Sequence, residues 1–255
     1  LRSTERYVLN QARLVHAITP IGARHIAKYT DNQIKTVCNF VPDVHLPPLT
    51  KEKDRPICFI GRFDMQQKGI DLQLKAYKLF KKAWKNRKLT PPAFILIGRK
   101  TKREQLMVEK LCQDLSLLRN QEVLLTGPVS DYEKYHLLQR SHVYLQLSRY
   151  EGFGLSCVEA LALGKPIIIS SKIPIKDYVQ QYDAGWVVNS PREAAKALKE
   201  VYQMGERAYH LKSQNARACY EAFFHPDVIK PQLLDMIAQA ASIQFKPEAI
   251  LKSSK

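Results

Sequence analysis

Apolar positions along the chain come in short runs, and several of these runs end in glycine: "ICFIGRF" (57–63), "AFILIG" (93–98) and "EVLLTG" (122–127). Three more, "VYLQLS" (143–148), "PIIIS" (166–170) and "GWVV" (185–188), continue the series. Short runs that are apolar throughout predict strands buried on both faces. Between them lie segments with apolar residues at helical spacing: "GIDLQLKAYKLFKKAWK" (69–85), "REQLMVEKLCQDL" (103–115) and "DYEKYHLLQRS" (131–141), the last opened by Asp131 as its cap. Leu155–Leu163 is a further helix, stopped by Gly164. Upstream, "QIKTVCNFV" (33–41) reads as a strand, and the tail over roughly 191–241 reads as all helical. Strand and helix in alternation predict an α/β fold, a Rossmann-like parallel sheet with helices on both faces and a helical C-terminal tail.

The proline-rich, polar stretch "PDVHLPPLTKEKDRP" (42–56) is the linker signal. It divides the chain into residues 1–42, a linker at 43–56, a Rossmann-like domain at 57–190 and C-terminal helices and tail at 191–255. The alternation is fold topology and carries no sequence repeat.

Composition narrows the class. The chain has 255 residues, 45% of them hydrophobic, enough for a packed core. No apolar run reaches membrane-spanning length and no signal peptide opens the chain, and the first residue, Leu1, reads as the start of a fragment. The five cysteines, at 38, 58, 112, 157 and 219, show no CxxC spacing, which predicts a reduced, cytoplasmic protein. The seven histidines form no metal-binding pair, so no metal is expected. The net charge of +16 implies an acidic partner, whether nucleic acid, a phosphorylated ligand or an anionic membrane, and charge alone does not choose.

In a parallel sheet of this kind the ligand sits outside the carboxyl ends of the strands. Five of the ten glycines fall at that predicted edge: Gly61, Gly98, Gly127, Gly152 and Gly154. A turn explains any one of them; the set points to a place where ligand and backbone meet. Arg62 follows one strand and Lys68 opens the next helix, and Gly154–Leu155 begins another helix at the same edge. Arginine, lysine and a helix N-terminus together make a diphosphate cradle, although no Walker loop and no GxGxxG is present. On their own, Arg62 and Lys68 would be ordinary solvated charge. Glu151 and Glu159 flank the bend. Eight residues of helix set their carboxylates about 12 Å apart, too far to share a proton and suited to two anchors on a long polyhydroxylated ligand. Glu159 would accept from a ribose and Glu151 from a hexose. The plainer alternative is a cap at 151 and a surface residue at 159, but Glu159 sits in the otherwise apolar "LSCVEALAL".

The stretch "RYEGFGLSCVEALALGKPIII" resembles the EX7E signature of family 4 retaining glycosyltransferases, which have the GT-B fold; "FIGRFDMQQKGIDLQLKAY" is similar to their GR…KG segment, and "VLLTGPVSDYEKYHLLQRSHVYLQLS" to the part between. The resemblance covers roughly 33–225. It implies a nucleotide-sugar donor, UDP- or GDP-linked, a glycan or lipid-linked acceptor, and no cofactor or metal. Glu151, Arg62 and Lys68 would be the catalytic set, with Gly61, Arg62 and Lys68 at the diphosphate. Glu151 and the backbone of Gly152, Phe153, Gly154 and Leu155 would face the sugar, Glu159 the ribose, and Gly127, Pro128 and Val129 the base. The chain departs from the pattern in two places. Only "RYVLNQARLVHAITPIGARHIAKYT" stands for an N-terminal acceptor domain, and "SSKIPIKDYV" lacks the glycine pair often found there. Such a chain would bind donor without transferring sugar. A non-catalytic nucleotide-sugar-binding module is the alternative. Nucleic-acid binding would have to use Tyr77, Phe80 and Trp84 among the lysines of "KAYKLFKKAWKNRK", but their spacing reads as a buried stripe with a solvated basic face, so no nucleic acid is expected. The same basic face, Lys75, Lys78, Lys81, Lys82, Lys85, Arg87 and Lys88, suits a peripheral position on an anionic inner leaflet.

Overall fold

The computed structural model describes residues 3–47, 55–84 and 90–241. Residues 48–54 of the expected linker, and Lys85, Arg87 and Lys88 of the basic stretch, lie outside the described residues. The chain forms two compact units, one of residues through Asp43 together with those from Glu221 onward, the other Val44–Tyr220.

The smaller unit holds α1 (Ser3–Gln11), β1 (Val15–Ala17), α2 (Pro20–Ile26) and β2 (Ile34–Thr36). The strand expected over 33–41 pairs only at Ile34–Thr36, in parallel with β1. Its partner runs out first: Thr19 turns to cap α2, accepting from the Gly22 N–H at 3.0 Å. Past the ladder, Val37 and Val41 are buried.

In the larger unit the strands are β3 (Ile57–Ile60), β4 (Phe94–Ile97), β5 (Val123–Gly127), β6 (Val143–Gln146), β7 (Ile167–Ser170) and β8 (Gly185–Val188). All pair in parallel, in the order β5-β4-β3-β6-β7-β8. This is the doubly wound Rossmann order, whose direction of growth reverses between β3 and β6. Ile57, Cys58, Phe59, Tyr144, Leu145, Ile167, Ile168 and Ile169 are fully buried, as their unbroken apolar runs predict. The helices are α3 (Ile70–Trp84), α4 (Lys102–Asp114), α5 (Asp131–Arg140), α6 (Leu155–Ala162), α7 (Lys176–Gln181), α8 (Pro191–Gln203) and α9 (Glu206–Phe223). The last helix, α10 (Pro226–Ala241), returns to the smaller unit, where Ile229 and Met236 pack on Val37 and Lys35 pairs with Asp235 at 2.5 Å.

Three details differ from the sequence reading. The cap of α5 is Ser130. Its hydroxyl accepts from the Glu133 N–H at 3.2 Å and the Glu133 carboxylate accepts from the Ser130 N–H at 2.9 Å, a reciprocal box that leaves Asp131 at the first helical position. Helix α7 is six residues long, too short for its sequence to show a period. On α3 the expected stripe of Tyr77, Phe80 and Trp84 is buried and offers no stacking surface; the departure is Lys81, which leaves the solvated face to pair with Glu122 at 2.5 Å.

Gly69, just before α3, ties the loop after β3 to the loop after β6. Its φ is +61°, and a Cβ there would lie 2.2 Å from the Leu147 carbonyl oxygen at the end of β6. Gly69→Ala is therefore expected to lower stability by about 1–3 kcal/mol or more, read from urea unfolding. Gly152→Ala, where nothing lies within 4 Å, should leave the midpoint almost unmoved. Equal midpoints for the two variants would show that the close approach at Gly69 has no such role.

Candidate functional site

The loops that follow β3 and β6 meet at the point where strand order reverses. At that edge β3, β4 and β5 run out into Gly61, Gly98 and Gly127. The Gly61 N–H donates to the Ile97 carbonyl at 2.9 Å and the Gly98 N–H to the Gly127 carbonyl at 3.0 Å. Gly98 has φ +143°, and a Cβ on it would sit 2.1 Å from the Gly61 oxygen, so only bare backbone fits. The loop after β3 is wound on Asp64, whose carboxylate accepts from the N–H groups of Gln66 and Gln67 at 2.9 and 2.8 Å and whose carbonyl accepts from Lys68 N–H at 3.0 Å. Arg149, in the loop after β6, clamps this turn. Its guanidinium donates to the Met65 carbonyl at 2.6 Å and grips Asp71 through two bonds of 2.8 Å. Burial would raise the Asp71 carboxyl; the Arg149 pair outweighs it and holds that carboxyl below its usual value.

This clamp brings Lys68 onto Glu151. The ammonium contacts Glu151 Oε1, with the two side chains only 14% and 8% exposed. The same oxygen accepts from Gln146 Nε2 at 3.1 Å and from the Ser148 hydroxyl at 3.2 Å. Gln146 is fully buried in β6. Its Nε2 also donates to Ser148 Oγ at 2.9 Å, while its Oε1 accepts from the Tyr144 hydroxyl at 2.6 Å and the Ser156 hydroxyl at 3.0 Å. Burial pushes the Tyr144 phenol well above its ordinary range, so it remains a protonated donor. The relay thus runs from the first turn of α6 through the sheet to Glu151.

Helix α6 starts at the same edge. Its N-cap is Gly154 with φ +103°, and no side chain caps the N-terminus. Backbone N–H groups there carry the positive end of the helix dipole. Phe153 is buried under the bend, while Gly152 and Leu155 are exposed. Glu151 is thus not the cap. Glu159 leaves the helix beside the buried Cys157, Val158 and Ala160, and its Oε1 accepts from Lys134 Nζ at 2.8 Å and the Tyr135 hydroxyl at 3.4 Å. Among the described residues, every bond to Glu151 and every bond to Glu159 falls on Oε1, leaving Oε2 of each as an acceptor for a further hydroxyl.

Of the residues singled out in the sequence, Gly61, Lys68 and Glu151 come together: a Cβ on Gly61 would be 3.5 Å from Lys68 Cε. Arg62 is exposed and donates to Gln67 Oε1 at 2.7 Å, not to a group shared with Lys68. Gly127 has φ +81° and is followed by exposed Pro128 and half-buried Val129 on the way into α5. Beside it, 3.5 Å from where its Cβ would be, stands Lys100 Nζ. Sequence reasoning passed over Lys100, Lys134, Tyr135, Gln146 and Ser148. The last two had a signal, since a glutamine and a serine inside an otherwise apolar strand must find buried partners. The lysines had none, because only the folded topology brings α5 to α6.

Residues 44–218 match the family described as glycosyl transferases, group 1. Among curated relatives, the poly(ribitol-phosphate) alpha-N-acetylglucosaminyltransferase of Staphylococcus aureus (strain COL) is 23% identical over 194 residues, which are 74% of this chain and 37% of that protein. The GDP-mannose:cellobiosyl-diphosphopolyprenol alpha-mannosyltransferase of Komagataeibacter xylinus is 35% identical over 96 residues, 36% of this chain and 24% of that one. The chain spans well under half the length of these curated relatives. In fold it is similar to a TarM mutant of S. aureus solved with Fondaparinux, alpha-GlcNAc-glycerol and UDP, with a TM-score of 0.77 at 20% identity over 92% of this chain and 46% of that one. HepE of Anabaena, solved with UDP and glucose, gives 0.74 at 15% identity over 92% and 66%.

The buried relay makes its own prediction. Gln146→Leu should leave the hydroxyls of Tyr144, Ser148 and Ser156 and the buried side of Glu151 short of partners, at about 1–3 kcal/mol of stability. Denaturant melts of this variant check it; an unchanged midpoint would show that the bonds of Gln146 contribute nothing net to stability.

Proposed function

The chain belongs to the group 1 glycosyl transferases, and from that premise we propose that Val44–Tyr220 is the donor-binding part of a retaining enzyme of the family 4 type, carrying its EX7E pair as Glu151 and Glu159. The observation that carries this reading is the paired design of the two carboxylates. Each has one oxygen held by a lysine and the other unbonded, on either side of an uncapped helix N-terminus. That suits a ligand with hydroxyls at both ends and a diphosphate between them, a UDP- or GDP-linked hexose. The hexose would lie by Glu151 and the backbone of Gly152–Leu155, the ribose by Glu159, and the base over Gly127, Pro128 and Val129. Arg62, Lys68 and the N–H groups of α6 would meet the diphosphate; as the bond from the sugar carbon to the phosphate oxygen breaks, they would stabilise the charge growing on the leaving group, the part a metal ion plays elsewhere. The acceptor, a glycan or a lipid-linked sugar, would bond through a hydroxyl oxygen to that carbon from the face the diphosphate leaves, its proton passing to the departing phosphate oxygen. It would be held mainly by parts of the protein beyond this unit.

Calorimetric titration of UDP, GDP and their hexose conjugates against variants tests the assignment. Glu159→Ala and Arg62→Ala should weaken the nucleoside diphosphate by about 1.5–3 kcal/mol each, the value of a charge-assisted contact. Glu151→Ala should keep nucleoside-diphosphate affinity, or raise it, because Lys68 is released from its partner. It should abolish the extra affinity that the sugar brings. If Glu151→Ala harms the bare nucleotide as much as Glu159→Ala does, Glu151 shapes the turn and does not face the sugar.

A lipid-linked acceptor would place the protein at a membrane surface. Among the described residues no helix is long and apolar enough to cross a membrane. On α3, Lys75 and Lys82 are exposed and Lys78 is partly so. Each would contribute about 1 kcal/mol at most on an anionic leaflet, less at high salt. Co-sedimentation should therefore favour anionic over neutral vesicles and weaken when all three are changed to glutamate. Equal binding to both vesicle types would remove the membrane from this reading.

A further inference from the structure

We propose that Lys134 is a positioning residue for the nucleotide subsite, holding Glu159 so that one carboxylate oxygen is fixed and the other is presented to the ribose hydroxyls. The inference rests on the reading of Glu159 as the ribose anchor and extends it to a residue on a different helix.

The geometry is specific. Lys134 Nζ lies 2.8 Å from Glu159 Oε1 and 2.9 Å from Asp131 Oδ1, so the ammonium is shared between two carboxylates. The Tyr135 hydroxyl reaches the same Glu159 oxygen at 3.4 Å, and the Tyr135 ring centre is 4.3 Å from Nζ. The lysine and Glu159 are 18% and 15% exposed, so the pair is largely withdrawn from water. The start of α5 is set by the Ser130–Glu133 box, which fixes the turn from which Lys134 projects. Burial by itself would pull the Lys134 ammonium down; its bonds to Glu159 and Asp131 outweigh that and hold it above its ordinary value, so it stays charged.

Two consequences follow from this chemistry. A carboxylate held at one oxygen loses the freedom to turn away, so the lone pairs of Oε2 are pre-aimed at a diol. A bare carboxylate beside a diphosphate would also repel it, and the ammonium offsets part of that charge at close range. Lysine supplies both effects; a neutral side chain of similar length supplies neither in full.

The test compares UDP and GDP with their 2′,3′-dideoxyribose forms on wild type, Lys134→Met, Lys134→Arg and Lys134→Gln, by calorimetry, with thermal melts to certify folding. Wild type should prefer the ribose form by about tenfold or more. Lys134→Met should lose most of that preference, to about threefold or less. Lys134→Arg should keep it, since the cation and its donors remain. A general loss of structure would lower both affinities together and leave their ratio intact, which separates positioning from mere packing. Lys134→Gln repeats the measurement should the methionine variant fail to fold. Undiminished preference in folded Lys134→Met or Lys134→Gln overturns the proposal. A wild type that binds neither nucleotide refutes the donor-site reading itself, and one that binds without preferring ribose removes Glu159 as the anchor; in either case the role of Lys134 falls with it.

Discussion

A carboxylate that is 8% exposed at the edge of a sheet has to be matched by charge and hydrogen bonds, and the carboxyl edge of this sheet is organised around that requirement at Glu151. Left alone, a group so far out of water would be costly. Lys68 supplies the countercharge, but it arrives from the far side of the switch point, on the loop after β3. That meeting needs Gly69 to lie against the Leu147 carbonyl, Asp64 to wind the loop, and Arg149 to bind Met65 and Asp71. Gln146 and Ser148 supply the remaining donors from within β6. At the neighbouring edge Gly98 lets the backbones after β3 and β4 approach, since a Cβ there would lie 2.1 Å from the Gly61 carbonyl oxygen. Removing any of these supports would leave the carboxylate without its matched surroundings.

Much of the frame is legible in the sequence because it follows from local rules. A run such as "IIIS" at 167–170 can be satisfied only by burial on both faces, and the structure places it in the sheet interior. Gly164 ends α6 with φ +64°, as a left-handed stop should. Elements whose limits are set by distant partners are harder to read. The strand over 33–41 shortens because β1 has nothing left to offer it, and Asp131 yields the cap to Ser130 because the reciprocal box fits one residue earlier.

The candidate site divides along the same line. The residues Lys68, Glu151 and Glu159 stand out in the sequence by type and spacing. Their partners do not, because the pairs Lys68–Glu151 and Lys134–Glu159 join residues 83 and 25 positions apart. Together with the glycine-rich edge and the start of α6, the two basic residues after β3 read in the sequence as a diphosphate cradle. In the folded chain one of them already holds an anion, and it is the protein's own.

That difference changes how binding would proceed on the proposed reading. At this edge each glutamate already has its lysine, so neither lysine stands free. An entering diphosphate would not fall into an open well of positive charge. It would compete with Glu151 for Lys68, exchanging one oxyanion for another around the same ammonium, so the Coulombic gain is a difference between two similar terms and is smaller than either. The exchange becomes favourable when the carboxylate left behind finds new donors, and sugar hydroxyls are donors of the right kind. Phosphate contact and sugar contact are then coupled through one lysine. A nucleotide without its sugar would leave Glu151 under-bonded, whereas the complete donor would satisfy both ends. Selectivity for the conjugate over its parts would arise from this exchange rather than from the number of contacts. Glu159 differs, because its lysine stands on α5, apart from the loop that would meet the phosphate, and has Asp131 as a second anchor. The two lysine–glutamate pairs are alike in chemistry, but on the proposed reading one would exchange partners and the other would stay.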